Sequence, residues 1–201
     1  MTQQIEKTLR DSAGVRWTAL LLLALAMFCA YIFMDILSPI KDLMLTTRGW
    51  DSTAFGTMQG SETFLNVFVF FLIFAGIILD KMGVRFTAIL SGAVMLVGAL
   101  IKYYAISGNF IGSGVEVWFT NNLNHIPVFE QLGVSPFYEG MPASAKVAAC
   151  GFMIFGCGCE MAGITVSKSI AKWFKGKEMA LAMGVEMAIA RLGVFAVLSL
   201  S

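Results

Sequence analysis

The sequence VAACGFMIFGCGCEMAGITVS, from Val147 to Ser167, contains a single Asp, Glu, Lys or Arg residue, Glu160. A second apolar run, Met179 to Ser201, holds Arg191 near its middle. Each run is long enough for a helix that crosses a bilayer, which takes about 20 residues. The basic segment KWFKGKE between them, residues 172–178, predicts a short surface turn. The two runs therefore predict an antiparallel pair of membrane helices.

The two charged residues are placed symmetrically about this turn. Glu160 lies 13 residues before Trp173, and Arg191 lies 13 residues after Glu178. A helix rises 1.5 Å per residue, so both side chains are expected roughly 20 Å into the membrane. A charge in hydrocarbon costs at least ~2.5 kcal/mol, and such residues normally face a protein interior or a wet cavity. The pattern predicts a binding or transport path, with an ion pair that merely joins the two helices as the alternative.

Composition indicates an all-α integral membrane protein. Hydrophobic residues make up 58% of the chain and charged residues 13%, and the mean hydropathy is +0.78. Soluble domains carry about a quarter charged residues. A net charge of +1 argues against a nucleic-acid partner, which requires a basic face.

Enzyme chemistry and cofactors are not indicated by the motifs. The sequence has no nucleophile and base at a plausible spacing and no phosphate-binding glycine loop. Cys157 and Cys159 form a single close pair without a neighbouring histidine, which favours packing over metal binding. We therefore expect no cofactor and no enzymatic activity.

Five apolar stretches are long enough to span a bilayer. Their approximate limits are Val15 to Ser38, Thr53 to Leu79, Arg85 to Ile106, Ala145 to Lys168 and Met179 to Ser201. More basic residues fall on the side of the N-terminus than on the opposite side, and the positive-inside rule then places residues 1–16 in the cytoplasm. The expected location is the cell (inner) membrane, with the lipid bilayer as a partner.

The connections follow from these limits. Residues 41–52 predict a short external connection, with Ser52 as the cap of the next helix. Residues 107–144 predict a long external loop without Lys or Arg. The chain stops directly after its last apolar run, so we interpret residues 17–201 as an incomplete six-helix half of a longer protein.

The turn between the second and third predicted helices carries a recognisable motif. It reads GIILDKMGVR, from Gly76 to Arg85, and Gly83 permits a tight turn. Gly76, Asp80, Lys81, Gly83 and Arg85 match G-x-x-x-D-[RK]-x-G-[RK]-[RK], whereas Val84 departs from it. In this stretch the chain resembles the major facilitator superfamily.

That resemblance implies the first five helices of a twelve-helix fold that works by alternating access. It also implies that the matched turn acts as a gate latch, in which Asp80 and Arg85 pair locally and against the absent C-terminal half. Gly76 is expected to allow close approach of another helix.

A second set of residues points to one branch of this superfamily. KWFKGKE at 172–178, followed by AIARLG at 188–193, resembles the lysosomal dipeptide transporter branch and its bacterial relatives. By that resemblance Glu160 would bind the amino terminus of a dipeptide and Arg191 its carboxylate. Asn66 is a further candidate for substrate contact near mid-membrane, although an interhelical hydrogen bond is an alternative role. Asp35 and Glu62 are interpreted as solvated helix ends that could line an external vestibule.

The expected function is secondary transport of dipeptides or similar small zwitterions. An organic or inorganic anion carrier anchored by Arg191, and a membrane receptor or scaffold without transport, are the alternatives. The first helix lacks an E-x-x-E-R proton signature, so uniport and proton-linked transport both stay open. The sequence does not identify an accessory subunit.

Overall fold

A computed structural model describes residues 12–122, 131 and 137–199. All regular elements within these ranges are helical, with no strand. The α-helices are α1 Ala13–Asp35, α2 Lys41–Arg48, α3 Ser52–Gly60, α4 Phe64–Phe68, α5 Phe71–Ile106, α6 Gly114–Asn122, α7 Ala143–Trp173 and α8 Met179–Leu198. Short 3-10 helices occupy Ser38–Ile40, Ser61–Thr63 and Gly108–Phe110.

Four helical segments of the described chain are long and apolar enough to cross a membrane. They are Ala13–Arg48, which begins with α1, followed by α5, α7 and α8. By length and composition the chain is therefore a multi-pass membrane protein, as its hydropathy predicts.

The second predicted span, Thr53 to Leu79, is not one continuous helix. It is divided among α3, the 3-10 helix Ser61–Thr63, α4 and the start of α5. The break before α5 lies at Phe70, whose φ of 53° and ψ of 38° are left-handed. Upstream, Gly56 and Gly60 weaken the helix because glycine has low helical propensity. Average hydropathy does not detect either feature.

The turn between the second and third predicted helices lies inside α5. Gly83 adopts φ 82° and ψ 169°, which divides α5 into two arms at the residue expected to form the turn. A side chain other than hydrogen is strained at this φ, so glycine suits the position. The second arm covers the predicted span Arg85 to Ile106.

The two connections that were predicted to be external contain more helix than expected. Helix α2 lies within residues 41–52, and α6 lies within the predicted loop 107–144, of which 123–130 and 132–136 fall outside the described residues. Asp51, not Ser52, caps α3: its side chain accepts a hydrogen bond of 2.6 Å from the Ala54 amide. That bond, with one of 2.8 Å from the Tyr138 hydroxyl, lowers the pKa of Asp51. Burial and the bond to Asp51 raise the pKa of Tyr138 to about 12.

Helix α7 is the centre of the structure, and most of it is buried. It packs along α5 and also contacts α3, α4 and the 3-10 helix Ser61–Thr63. The closest approach to α5 uses glycines: a Cβ on Gly98 would lie 2.6 Å from the Gly151 carbonyl oxygen, and one on Gly151 would lie 2.7 Å from the Lys102 amide nitrogen. The backbones of α5 and α7 are therefore in direct contact, as is common for small residues between membrane helices.

Helix α8 packs chiefly against α1 and makes few contacts with α7. Gly193 lies against the Phe28 carbonyl of α1. At the other end of this pair, Arg16 donates to Glu178 at 2.9 Å and lies over the Phe174 ring, with 5.3 Å from its guanidinium carbon to the ring centroid. The Glu178 backbone amide and Arg16 lower the pKa of Glu178. The last two spans are joined by a short turn, as predicted, and contact each other, but α8 makes most of its helix contacts with α1.

We expect Gly151→Ala to destabilise the protein by about 1–3 kcal/mol, because its methyl group would force the α5 and α7 backbones apart. The control is Gly163→Ala in the same helix, where a Cβ meets nothing within 4 Å. Alanine has the higher helical propensity, so this control is expected to be neutral or stabilising. Thermal unfolding in detergent, followed by tryptophan fluorescence, measures both. Equal midpoints for the two variants would contradict the close contact.

We expect Glu178→Gln to lower the unfolding midpoint at neutral pH because the ion pair with Arg16 is lost. A lowered carboxyl pKa gives stability that is present above the ordinary value of 4.5 and is lost as pH falls through the folded value. The difference between wild type and variant should therefore disappear on acidification. The control is Glu139→Gln, at an exposed position, which should match wild type at every pH. A constant difference at all pH values would rule out the ion pair as its cause.

Candidate functional site

A cluster of charged and polar side chains lies where α1, α5, α7, α8 and the 3-10 helix Ser61–Thr63 come together. We call it the polar cluster, and its electrostatic interactions join Tyr31, Asp35, Glu62, Lys102, Glu160 and Arg191. Ionisable groups inside a membrane protein normally mark a binding or transport site. The cluster is therefore the candidate site.

Tyr31 of α1 connects the two residues singled out by the sequence. The guanidinium carbon of Arg191 lies 5.5 Å from the centroid of the Tyr31 ring, which is a cation–π contact. The Tyr31 hydroxyl also interacts electrostatically with both Arg191 and Glu160. Both charges therefore approach one aromatic side chain from different helices.

Glu160 and Arg191 do not form an ion pair with each other in the structure. Glu160 is half-buried and Arg191 is exposed. The alternative that the two residues serve only to join their helices is therefore wrong for this conformation. The physical reason is that α8 packs on α1, so that Tyr31 of α1 meets Arg191.

Glu62 belongs to this cluster, although the sequence was interpreted as a solvated helix end at this position. A Cβ on Gly156 would collide with the backbone carbonyl oxygen of Glu62 and would lie 2.9 Å from the Glu62 Cγ. Glu62 therefore packs directly on the backbone of α7. Ser61 next to it donates to the Ala149 carbonyl at 3.1 Å, which fixes the 3-10 helix on α7. Glu160 lies one helical turn after Gly156, on the same face. The Glu62 and Glu160 carboxylates are therefore brought together, and they interact electrostatically.

Lys102 and Asp35 form the part of the cluster at the C-terminal end of α1. Lys102 is only 5% exposed, and its Nζ lies 3.5 Å from the Phe33 and Met34 carbonyls at the end of α1. The same Nζ lies 3.8 Å from the centroid of the Phe152 ring. Asp35 accepts a hydrogen bond of 3.1 Å from Gln59 and interacts electrostatically with Lys102. Asp35 is therefore held by a donor and a cation, and is not a simple solvated helix end.

Sequence reasoning gave Lys102 no role in the site, although one signal was present. It is the single basic residue inside the apolar run from Phe86 to Ile106. A lone lysine in such a run is expected to seek carbonyl oxygens or aromatic rings, and Lys102 contacts both kinds of group.

Asn66 is buried, with 7% of its surface exposed. Neither its amide nitrogen nor its amide oxygen has a hydrogen-bond partner among the described residues. A buried polar group without a partner costs about 1–3 kcal/mol, so a second polar group is expected to meet it in some state of the protein. Asn66 follows Glu62 by four residues, and its role as a substrate contact stays a prediction.

The gating motif is only partly arranged as expected. Gly83 forms the turn, and Lys81 and Arg85 are exposed. Asp80 pairs with Lys168 of α7 at 2.6 Å, so the expected local pair with Arg85 is wrong. Lys168 also donates to the Leu79 carbonyl at 3.4 Å. The expected close helix approach at Gly76 is absent among the described residues, because a Cβ there would meet nothing within 4 Å.

Comparisons with protein families, with curated proteins and with solved structures give no match. Function therefore has to be inferred from the residues and their geometry.

We expect a coupling free energy of about 0.2–1 kcal/mol between Asp80 and Lys168, the range for exposed ion pairs. A double-mutant cycle of Asp80→Asn and Lys168→Met, followed by unfolding in detergent, measures it. A matched cycle of Asp80→Asn and Arg85→Met should give no coupling. Coupling to Arg85 in place of Lys168 would contradict the observed pairing.

Proposed function

We propose that the protein is a secondary transporter of small zwitterions such as dipeptides. The observation that carries this proposal is that Glu160 and Arg191 both approach Tyr31 without pairing with each other. A dipeptide has an ammonium group and a carboxylate several ångströms apart, and a separated carboxylate and guanidinium match these two groups. Arginine suits bidentate binding of a carboxylate.

In this proposal Glu160 binds the amino terminus, Arg191 binds the carboxylate, and Tyr31 separates the two protein charges. An ion pair between Glu160 and Arg191 would have to break before substrate could bind. The observed separation avoids that cost, which supports a site prepared for its ligand. Asn66 has unused hydrogen-bonding capacity and is proposed to contact the peptide group.

We further propose that the chain forms the first five spans of a major facilitator fold, with its N-terminus in the cytoplasm of a cell with an inner membrane. The described helices fit this arrangement. The segments from α3 to the first arm of α5 would form the second span, and the arm of α5 after Gly83 would form the third. Transport would then proceed by alternating access with a C-terminal half. The ion pair of Asp80 with Lys168 would hold the turn against α7 during this movement.

We expect dialanine to raise the unfolding midpoint of the full-length protein in detergent, because the ligand binds only the folded state. N-acetyl-dialanine lacks the ammonium group and dialanine amide lacks the carboxylate, so both should fail. Glu160→Gln and Arg191→Gln should each abolish the response. Glu186→Gln in α8 serves as the control and should keep it.

The other outcomes identify the competing functions. Stabilisation by N-acetyl-dialanine that is lost only in Arg191→Gln would favour an anion carrier. No response to any of these compounds would favour a membrane receptor or scaffold, and either result would overturn the zwitterion proposal.

A further inference from the structure

The polar cluster carries an excess of negative charge. Asp35, Glu62 and Glu160 contribute carboxylates, while Lys102 and Arg191 contribute the cations, so one negative charge is left uncompensated. An uncompensated charge away from bulk water is costly. A zwitterion adds no net charge, so binding of a dipeptide would not remove this excess. The site therefore calls for one additional positive charge.

The excess can be located within the cluster. Asp35 accepts from Gln59 and interacts with Lys102, and Arg191 lies over the Tyr31 ring. In contrast, neither Glu62 nor Glu160 receives a hydrogen bond or an ion pair from the described residues. Glu62 interacts with the carboxylates of Glu160 and Asp35 and with one cation, Lys102, which it shares with Asp35. The uncompensated charge is therefore concentrated around Glu62.

The two carboxylates cannot easily separate. Gly156 lets the Glu62 backbone touch α7 one turn before Glu160, and the Ser61 hydroxyl bonds to the Ala149 carbonyl. Both contacts would have to break for the Glu62 carboxylate to withdraw. Carboxylates held close together repel each other, and a proton on one of them relieves the repulsion.

We propose that Glu62, held beside Glu160, carries one exchangeable proton, and that this proton travels with the zwitterion. The inference rests on the proposed transport function. When the substrate ammonium group occupies Glu160, the proton resides on Glu62 as a carboxylic acid. The loaded cluster is then neutral, with one proton and one zwitterion bound. The only bond that forms and breaks is the O–H bond of the carboxyl group.

The groups that face this pair come from every element packed around it. Helix α1 contributes Tyr31 and Asp35, α5 contributes Lys102, α7 contributes the Cys159 thiol, and α8 contributes Arg191. Helices α3 and α4 carry no ionisable residue, but α4 carries Asn66, whose unpartnered amide can bond a protonated carboxyl. Asp35 accepts a hydrogen bond from Gln59, whereas Glu62 and Glu160 have no hydrogen-bond donor among the described residues.

Two transport measurements on the full-length protein in liposomes test the proposal. Counterflow of labelled dialanine at equal pH on both sides requires substrate exchange only, and it therefore tests the transport function by itself. Accumulation of dialanine against its gradient, driven by an acidic exterior, requires coupling to protons. We expect wild type to show both activities.

Glu62→Gln fixes the neutral form of this side chain, so we expect it to lose accumulation driven by the pH gradient to a greater extent than counterflow. Glu160→Gln should lose both, since it also removes the proposed ammonium contact. Glu116→Gln in α6 is the control and should keep both. Counterflow in wild type without accumulation driven by pH would overturn the proton proposal and leave the transport function intact. Accumulation driven by a sodium gradient at constant pH would also overturn it.

Infrared difference spectroscopy tests the proton without any transport step. Spectra of the detergent-solubilised protein at mildly acidic and alkaline pH should contain the C=O stretch of a protonated carboxyl group in wild type. This band should be lost in Glu62→Gln and kept in Glu116→Gln. Absence of a titrating carboxyl band in wild type would overturn the proposal even if a variant failed to fold.

Discussion

The structure depends on the direct backbone contact between α5 and α7 at Gly98 and Gly151. Side chains there would hold the two helices apart, and the contact brings Lys102 of α5 over Phe152 of α7. A third glycine of α7, Gly156, allows the 3-10 helix that carries Glu62 to pack directly on α7. Dispersion between closely packed backbones is the main force available between helices in lipid. The glycines of α7 therefore determine both the packing and the position of the charged site.

The two cations of the site, Lys102 and Arg191, are stabilised in different ways. Lys102 is stabilised by two carbonyl oxygens and an aromatic ring, and Arg191 by the face of Tyr31. Neither cation forms a direct ion pair with a carboxylate of the described residues, so the Glu62 and Glu160 carboxylates stay available for other positive groups. A site built from closed ion pairs would lack this property. The arrangement therefore favours binding over a purely structural role.

The apolar runs, the positions of Glu160 and Arg191 within long apolar helices and the turn at Gly83 could be predicted from sequence. Each depends on local information: hydropathy over about 20 residues, an isolated charge, or a glycine in a short polar segment. The break at Phe70 could not be predicted, because an apolar aromatic residue gives no local signal for a left-handed backbone. The same applies to Glu62, whose place in the site depends on which surface of α7 the glycines leave open.

Helix partners were a further limit on prediction. The sequence placed the last two spans side by side because a short turn joins them, but α8 makes most of its helix contacts with α1, where Gly193 meets the Phe28 carbonyl. The partner of Asp80 was missed for the same reason, since Lys168 is distant in sequence. Contacts between distant segments depend on the shapes of whole helix faces, which a single sequence does not display.

The ion pair between Arg16 and Glu178 has a consequence for biosynthesis. These residues lie at opposite ends of the chain, and α1 leaves the ribosome long before α8 does. Translation proceeds at about 5–20 residues per second, so α1 waits many seconds for its main packing partner. During that interval the face of α1 that later receives α8 is covered by lipid or by the insertion machinery. The packing of α1 is therefore completed only after α8 has been synthesised.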